Sequence, residues 1–419
     1  MKISRRGFLA GSASVTATLG GAGLGFSAVP SRSPASNRTL VYLFLRGGMD
    51  GLNLVMPRTG VHRTEYLNKR PNIAVPISNM HDLNGVFGLH GNCDGLKALY
   101  DSGKLAFIHA VGMPEGQASR SHFDSQEMFE LGTPGNLATT TGWLARHMNT
   151  SPHIASDAVI PSLATTSSSP TSLLGDFRAM SLDDASSFHP NSGRYGDEHV
   201  NALGRIYNGT STLDYAVQNA LNMIDLLQQI DITVPSSYPN TGLADDLGLV
   251  AGMIKENVGL QVATVDYGGW DTHNGQGNDG GGYFATHVGD LSAAIKAFMD
   301  DLESSGLIDN VVLIVQSDFG RRVRENGNEG TDHGTAQPIM VIGGQVLGGQ
   351  IYGSFPGLRD SDLYLNTDLR MTTDFRQVYC DVVGNFLLNP NLSTVFPGYT
   401  GPKSIGLFDT NTIFANGFD

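Results

Sequence analysis

The stretch VVLIVQSDFGRRVRENGNEGTDHGTAQPIMVIGG, residues 311–344, restricts the fold more than any other part of the chain. It opens with a continuous apolar run, Val311 to Val315, which reads as a strand buried on both faces. Asp318 falls just past the end of that run. A loop rich in Gly and Asn follows, closes on Asp332-His333, and gives way to a second apolar run from Pro338 to Ile342. Two carboxylates and an imidazole held between buried strands suit a divalent cation, because carboxylate oxygens and imidazole nitrogens are what Zn, Mn, Fe and Mg sites use. The same residues also fit a turn-capping aspartate and an ordinary loop histidine, so the rest of the chain has to decide.

Three further apolar runs end in the same way. Residues 39–45 lead into Arg46-Gly-Gly-Met-Asp50-Gly-Leu-Asn53, where a Gly pair allows a sharp turn and Asp50 stands at the strand end. Residues 105–111 lead into Gly112-Met-Pro-Glu-Gly-Gln-Ala-Ser119-Arg120-Ser121-His122-Phe123, with His109 inside the run as a core histidine. A serine opening a helix lies close to unpaired backbone N–H groups, which suits either a nucleophile or a plain N-cap. Residues 260–265 lead into Tyr267-Gly-Gly-Trp270-Asp271-Thr-His273. Helical spacing is found over 95–100, 123–131, 213–230, 244–256, 283–303 and 373–388. Strands alternating with helices predict a mostly parallel sheet covered on both faces, and such sheets bind ligands outside the carboxyl ends of their strands. The four runs deliver their Asp, His and Ser residues to that one edge.

The remaining segments are less regular. Residues 54–85 show no clear period. Residues 132–242 carry little charge and many Ser and Thr, which predicts an inserted cap or set of long loops. Asn274 to Gly282, made of Gly, Asn, Gln and Asp, reads as a mobile lid, with a weak calcium-loop mimic as the alternative. A loose tail is expected over 403–419. The main domain is expected over 37–402.

The net charge of −14 argues against nucleic acid or an anionic membrane surface as a partner. It leaves room for an anionic substrate, since a bound cation inverts the local field. Ser4-Arg5-Arg6-Gly7-Phe8-Leu9, followed by a weakly apolar, Gly-interrupted run to Val29, has the layout of a twin-arginine signal within residues 1–36. Cleavage is expected near Ser27-Ala28, with Ala35 as the second choice. No later run is long enough for a stable membrane anchor. The expectation is therefore a periplasmic or secreted protein that has used the twin-arginine export machinery. Cys93 and Cys380 are the two cysteines; an oxidising compartment permits a disulfide, but Cys380 lies in an apolar helical pattern and reads as a small hydrophobe.

The twin-arginine start, R-G-G-M-D-G-L-N at 46–53, S-x-S-H-F at 119–123, G-G-W-D-T-H at 268–273, S-D-F-G-R at 317–321 and T-D-H-G at 331–334 together resemble a secreted bacterial family known as domain of unknown function 1501. That family is grouped with the alkaline phosphatase and sulfatase superfamily. The resemblance implies a three-layer α/β/α sandwich with an alkaline phosphatase-like, mostly parallel sheet. It further implies that Asp50 ends the first strand as a metal ligand, and that Ser121 is the nucleophile. The latter matches Gly112-Met-Pro-Glu-Gly-Gln-Ala-Ser-Arg-Ser121 to the G-L-P-x-G-Q-x-G-N-S of cofactor-independent phosphoglycerate mutases. Asp271 with His273, then Asp318, then His333 follow as further ligands. Phe319 departs from the pattern, because the superfamily places a histidine ligand there. Asp332, His122 or a water would fill that gap, or one of two metal sites is weakened.

The implied activity is metal-dependent hydrolysis of phosphate or sulfate esters. Ser121 would be the nucleophile, one or two ions (Zn, Mn, Fe or Mg) would serve as cofactor, and Arg120 or Arg321 would bind the anionic ester. The alternative is a non-catalytic exported binding or assembly protein on a degenerate hydrolase scaffold, with the Ser/Thr-rich segment as its recognition surface.

Overall fold

Every residue of the first strand, β1 (Thr39–Leu45), is buried, as its unbroken apolar run requires. Its side chains alternate between two separate cores. Val41, Leu43 and Leu45 enter one, and Leu40, Tyr42 and Phe44 enter the other. A strand that feeds two cores needs a covering layer on each side, and this chain supplies both.

The computed structural model describes residues 37–155, 158–183, 196–227, 229–230 and 232–409. The expected twin-arginine signal and linker, residues 1–36, lie outside the described residues, as does the tail beyond Asp409. After β1 come β2 (Val55–Pro57), β3 (Met80–Asp82) and β4 (Phe87–His90), which pair among themselves as a small antiparallel sheet. The central sheet adds β5 (Leu105–Gly112), β6 (Ser162–Ala164), β7 (Ala179–Ser181), β8 (Val262–Tyr267), β9 (Val311–Ser317), β10 (Gln337–Gly343), β11 (Gln350–Tyr352) and β12 (Thr373–Asp374). Its order is β11-β5-β10-β9-β1-β8-β6-β7, with β12 also on β5. Among the described strands of this sheet β10 alone runs against its neighbours β5 and β9; the other pairings are parallel.

The α-helices longer than four residues are α1 (Gly60–Lys69), α2 (Asp94–Asp101), α3 (His122–Leu131), α4 (Trp143–Thr150), α5 (Gly196–Ile206), α6 (Thr212–Leu227), α7 (Gly242–Lys255), α8 (Gly282–Ser304) and α9 (Phe375–Asp381). One core receives Leu96 and Leu99 from α2, Leu247 and Val250 from α7, and Leu291, Ile295 and Phe298 from α8. The other receives Phe129 from α3, Trp143 and Leu144 from α4, and Phe375, Val378 and Tyr379 from α9. The architecture is thus a mostly parallel sheet between two helical layers, as expected.

Several expectations shift. The run read as a strand over 260–265 forms β8 two residues later, and Leu260 instead accepts a hydrogen bond from the Thr39 hydroxyl at 2.8 Å. Residues 54–85, which lack a hydrophobic period, contain α1 and two strands of the small sheet. The segment 132–242 is more than a cap, since β6 and β7 extend the central sheet beside β8. The last helix gives way after Asp381 to a wider π turn over Val382–Phe386. The start of the expected loose tail is held down: Asp381 Oδ2 accepts from the backbone N–H groups of Ile405, Gly406 and Leu407 at 2.8–3.0 Å. Cys93 and Cys380 are both buried and free, one in each core. Among the described residues no helix is long and apolar enough to cross a membrane.

Burial pushes the imidazoles of His90, His109 and His147 down to about 4. Between that value and the ordinary 6.5, the unfolded chain takes up these protons and the folded chain does not, so stability falls as pH drops through 6.5. Each histidine removes about 1.4 kcal/mol per pH unit over that window. Urea unfolding at pH 7.5 and 5.5 is expected to show a clear loss at the lower pH. An unchanged midpoint would mean these histidines are hydrated and charged in the fold.

Candidate metal centre

Four chain segments reach the same sheet edge, and β10's direction explains one of them. Because β9 and β10 are antiparallel, the loop between them leaves and returns on one side. Asp318, just past β9, and His333, ahead of β10, therefore share that edge. The Gly pair after β1 lets the neighbouring segments close in. A Cβ on Gly47, at φ +122°, would lie 2.7 Å from the Asp271 nitrogen, and one on Gly48, at φ +70°, 2.4 Å from the Phe319 ring.

Arg321 joins these segments. Its guanidinium is enclosed and donates to the carbonyls of Gly47, Gly48 (2.5 Å), Trp270 (3.0 Å) and Thr331 (2.8 Å), and to Asp271 Oδ1 (2.7 Å). Such a fully engaged side chain is unable to turn toward a substrate, and its place in the site is to hold Asp271. Partial burial pushes the Asp271 carboxyl up, but the hydrogen bond and charge of Arg321, with His333 and His273 beside it, outweigh that and keep it below the usual carboxylate range.

One oxygen or nitrogen from each of His122, Asp271 and His333 lies within 4.8 Å of the other two. The partners of the imidazoles fix which nitrogen is free. His122 Nδ1 donates to Asp318 Oδ2 at 2.6 Å, which leaves Nε2 as a lone pair facing Asp271 Oδ2 at 3.5 Å. That Nε2 is buried and has no hydrogen-bond partner. His333 Nδ1 donates to the Arg120 carbonyl at 2.7 Å, so its Nε2 is a lone pair 3.2 Å from Asp271 Oδ1. Burial pushes the His333 imidazole below its ordinary value despite those bonds. The acceptor positions of two imidazoles and a carboxylate thus face one point, and His273 Nε2 lies 2.8 Å from one of them, His333 Nε2. Two imidazoles, steadied by the Asp318 carboxylate and the Arg120 carbonyl, and one carboxylate, steadied by the Arg321 guanidinium, form a donor set that fits a borderline divalent ion.

The other expected residues surround this group. His273 Nε2 lies 2.8 Å from His333 Nε2 and 3.1 Å from Asp271 Oδ1, and its Nδ1 faces Asp332 at 3.5 Å. Asp332 is thus behind His273. Asp318 is fully buried and committed to His122, the Gly47 N–H and Gln126 Nε2, so it orients His122 from behind. Asp50 is not brought into the group: its Oδ2 accepts from Arg70 Nη1 and Gln276 Nε2, both at 2.6 Å. Ser121 is the N-cap of α3, accepting a long 3.4 Å bond from the Asp124 N–H. The Arg120 guanidinium is paired to buried Asp368 at 2.6 Å and stays partly exposed. The loop 274–282 lies beside the site, with Gln276 buried and its backbone bonded to Glu329.

Phe319 stands where a histidine ligand was expected. Its buried ring packs against His122 (centroids 4.8 Å) and His333 (4.6 Å) and forms the floor under both. His122 is the residue that joins the group in place of a histidine at 319. It is one of the three substitutes expected for that position, alongside Asp332 and a water. Arg70 carried no sign at all, lying in the stretch without a hydrophobic period.

The family described as "Protein of unknown function (DUF1501)" matches residues 112–387. The chain belongs to this family. The DUF1501 match spans α3, the loop after β8 and the β9–β10 loop, and so every residue of the three-member group. No curated protein matches the chain. Similar solved structures include the lipoteichoic acid synthase LtaP from Listeria monocytogenes, at 10% identity over 88% of this chain and 74% of that one, TM-score 0.33. A mutant of TAB5 alkaline phosphatase is 11% identical over 75% and 93%, TM-score 0.29. The phosphonate monoester hydrolase of Agrobacterium radiobacter is 11% identical over 87% and 79%, TM-score 0.29. Likeness at this level carries no chemistry to the DUF1501 chain, whose site rests on its own geometry.

Replacing Phe319 with Ala removes the floor under two imidazoles and is expected to lower stability by about 3–5 kcal/mol. Urea unfolding measures it. A loss below about 1 kcal/mol would show that the surrounding loops, and not this ring, support the histidines.

Proposed function

We propose that the protein hydrolyses phosphate or sulfate esters with a divalent ion held by His122, Asp271 and His333. The observation that carries this reading is the convergence of those three acceptor groups, each oriented from behind by Asp318, Arg321 or the Arg120 carbonyl. A divalent ion there supplies a Lewis acid for an anionic ester oxygen and lowers the pKa of an oxygen nucleophile. His273, in contact with both His333 and Asp271, would add a fourth donor, with Asp332 fixing its ring.

Ser121 immediately precedes His122, and its weak cap bond leaves the hydroxyl able to turn. In this reading its Oγ attacks the ester centre, the alcohol leaves, and water then frees the serine. The first turn of α3 offers unpaired N–H groups to the developing anion. Arg120, held at one edge by Asp368, faces the anionic oxygens. The family resemblance further supports export through the twin-arginine route and action outside the cytoplasm.

One observation favours the non-catalytic alternative. Among the described hydrogen bonds, the Ser121 hydroxyl has none to a general base, only to the Asp124 N–H. The hydrolase reading requires both the ion and turnover, and the binding or assembly reading requires neither. Metal-loaded protein is therefore expected to hydrolyse aryl phosphates or aryl sulfates, with kcat/KM lowered at least about 100-fold in Ser121→Ala and in His333→Ala. Metal binding without turnover across such a panel would decide for the binding protein. Wild-type rates in Ser121→Ala would remove the serine from the mechanism.

A further inference from the structure

We infer that the centre takes a single divalent ion, and that the buried guanidinium of Arg70 occupies the electrostatic place of a second one beside Asp50. This deepens the proposed function and rests on it. Asp50 follows β1, where the resemblance places a metal ligand, yet its charge is already met. Arg70 Nη1 lies 2.6 Å from Asp50 Oδ2, with the two side chains 0% and 1% exposed. A buried carboxylate needs a compensating cation, and here the chain provides its own.

The guanidinium is fixed on several sides. Nε donates to the Val323 carbonyl at 2.8 Å, Nη1 also to Asn53 Oδ1 at 2.7 Å, and Nη2 to the Arg322 carbonyl at 3.1 Å. Asn53 is itself held by the Tyr66 hydroxyl at 2.6 Å, and the Arg70 N–H closes the end of α1 on the Tyr66 carbonyl at 3.0 Å. Arg70 therefore cannot swing aside for an incoming ion without leaving the Asn53 oxygen and the Val323 and Arg322 carbonyls unmet. Its carbonyl partners in the stretch after Phe319 hold it against Asp50.

The ligand supply agrees. Among the described residues, the group of metal-capable side chains is His122, Asp271 and His333, and Asp50 is not part of it. Asp50 Oδ1 is buried without a protein partner. A lone carboxylate oxygen next to a guanidinium makes a poor ligand for a divalent ion, because like charges repel strongly where water is excluded. Gln276, a neutral donor, takes the remaining bond to Oδ2 at 2.6 Å. Arg70 and Arg321 then act as permanent cations flanking one exchangeable ion. Arg70 neutralises Asp50, and Arg321 takes Asp271 Oδ1 and leaves Oδ2 toward His122.

The test is zinc titration of the metal-free full-length chain by calorimetry, with zinc content checked by elemental analysis after dialysis. One ion per chain is expected. Asp50→Asn should keep that stoichiometry and shift the affinity by less than about tenfold, whereas Asp271→Asn should weaken binding at least about 100-fold. Two ions in the wild type with one in Asp50→Asn, or loss of the single ion in Asp50→Asn, would overturn the inference and leave the metal centre standing. No zinc bound by the wild type would instead remove the proposed function beneath it. Should Asp50→Asn fail to fold, anomalous diffraction from zinc-soaked wild-type crystals decides. One peak beside His122, Asp271 and His333 is expected, and a second on Asp50 would overturn the inference.

Discussion

The hydrogen bonds of Arg321 are the constraint on which the site depends. Three of the four chain segments at this edge of the sheet present backbone carbonyls to Arg321. Its single guanidinium donates to those of Gly47, Gly48, Trp270 and Thr331 and adds the Asp271 carboxylate. Unsatisfied buried carbonyls are expensive, so this arrangement sets how far β1, β8 and the β9–β10 loop stand from one another. The two glycines at 47 and 48 follow from it, since any Cβ there would collide with the segments that Arg321 draws together.

Within that frame, rigidity and chemistry come from different residues. Phe319 fills space under His122 and His333, while Asp318 and the Arg120 carbonyl choose which imidazole nitrogens are free. A phenylalanine where a histidine was expected therefore changes the roster of donors and keeps their platform. The position of His122, one residue beyond Ser121 on the first turn of α3, couples the proposed nucleophile to the proposed ion through a single backbone link.

The parts of this arrangement visible in the sequence were those carried by apolar continuity. β1, β5, β9 and β10 were legible because strands buried on both faces read as unbroken runs, and the residues just past them followed. The reversed direction of β10 was not legible, because a buried strand has the same pattern either way round. Neither was α1, where Arg63, Lys69 and Arg70 are buried through hydrogen bonds and ion pairs, so the helix has no apolar period to read. β6 and β7 escaped for another reason: three-residue strands in a Ser/Thr-rich segment are too short to carry a pattern. Asp50 illustrates the limit for the site itself. Its place at a strand end could be read, but its partner, Arg70, depends on how α1 docks.

The register of β1 also sets a clock on the chain's birth. Its two neighbours in the sheet, β8 and β9, begin at Val262 and Val311, so both edges of this apolar strand stay open until those residues have been made. At roughly 5–20 residues per second, the stretch between Leu45 and Val262 takes on the order of ten to forty seconds to synthesise. Throughout that interval the nascent chain displays a seven-residue hydrophobic ribbon with unpaired hydrogen-bonding groups on both sides. The most central strand of the finished protein is thus made long before either strand that flanks it, and a chain released before Val311 lacks the strand that covers one of its edges.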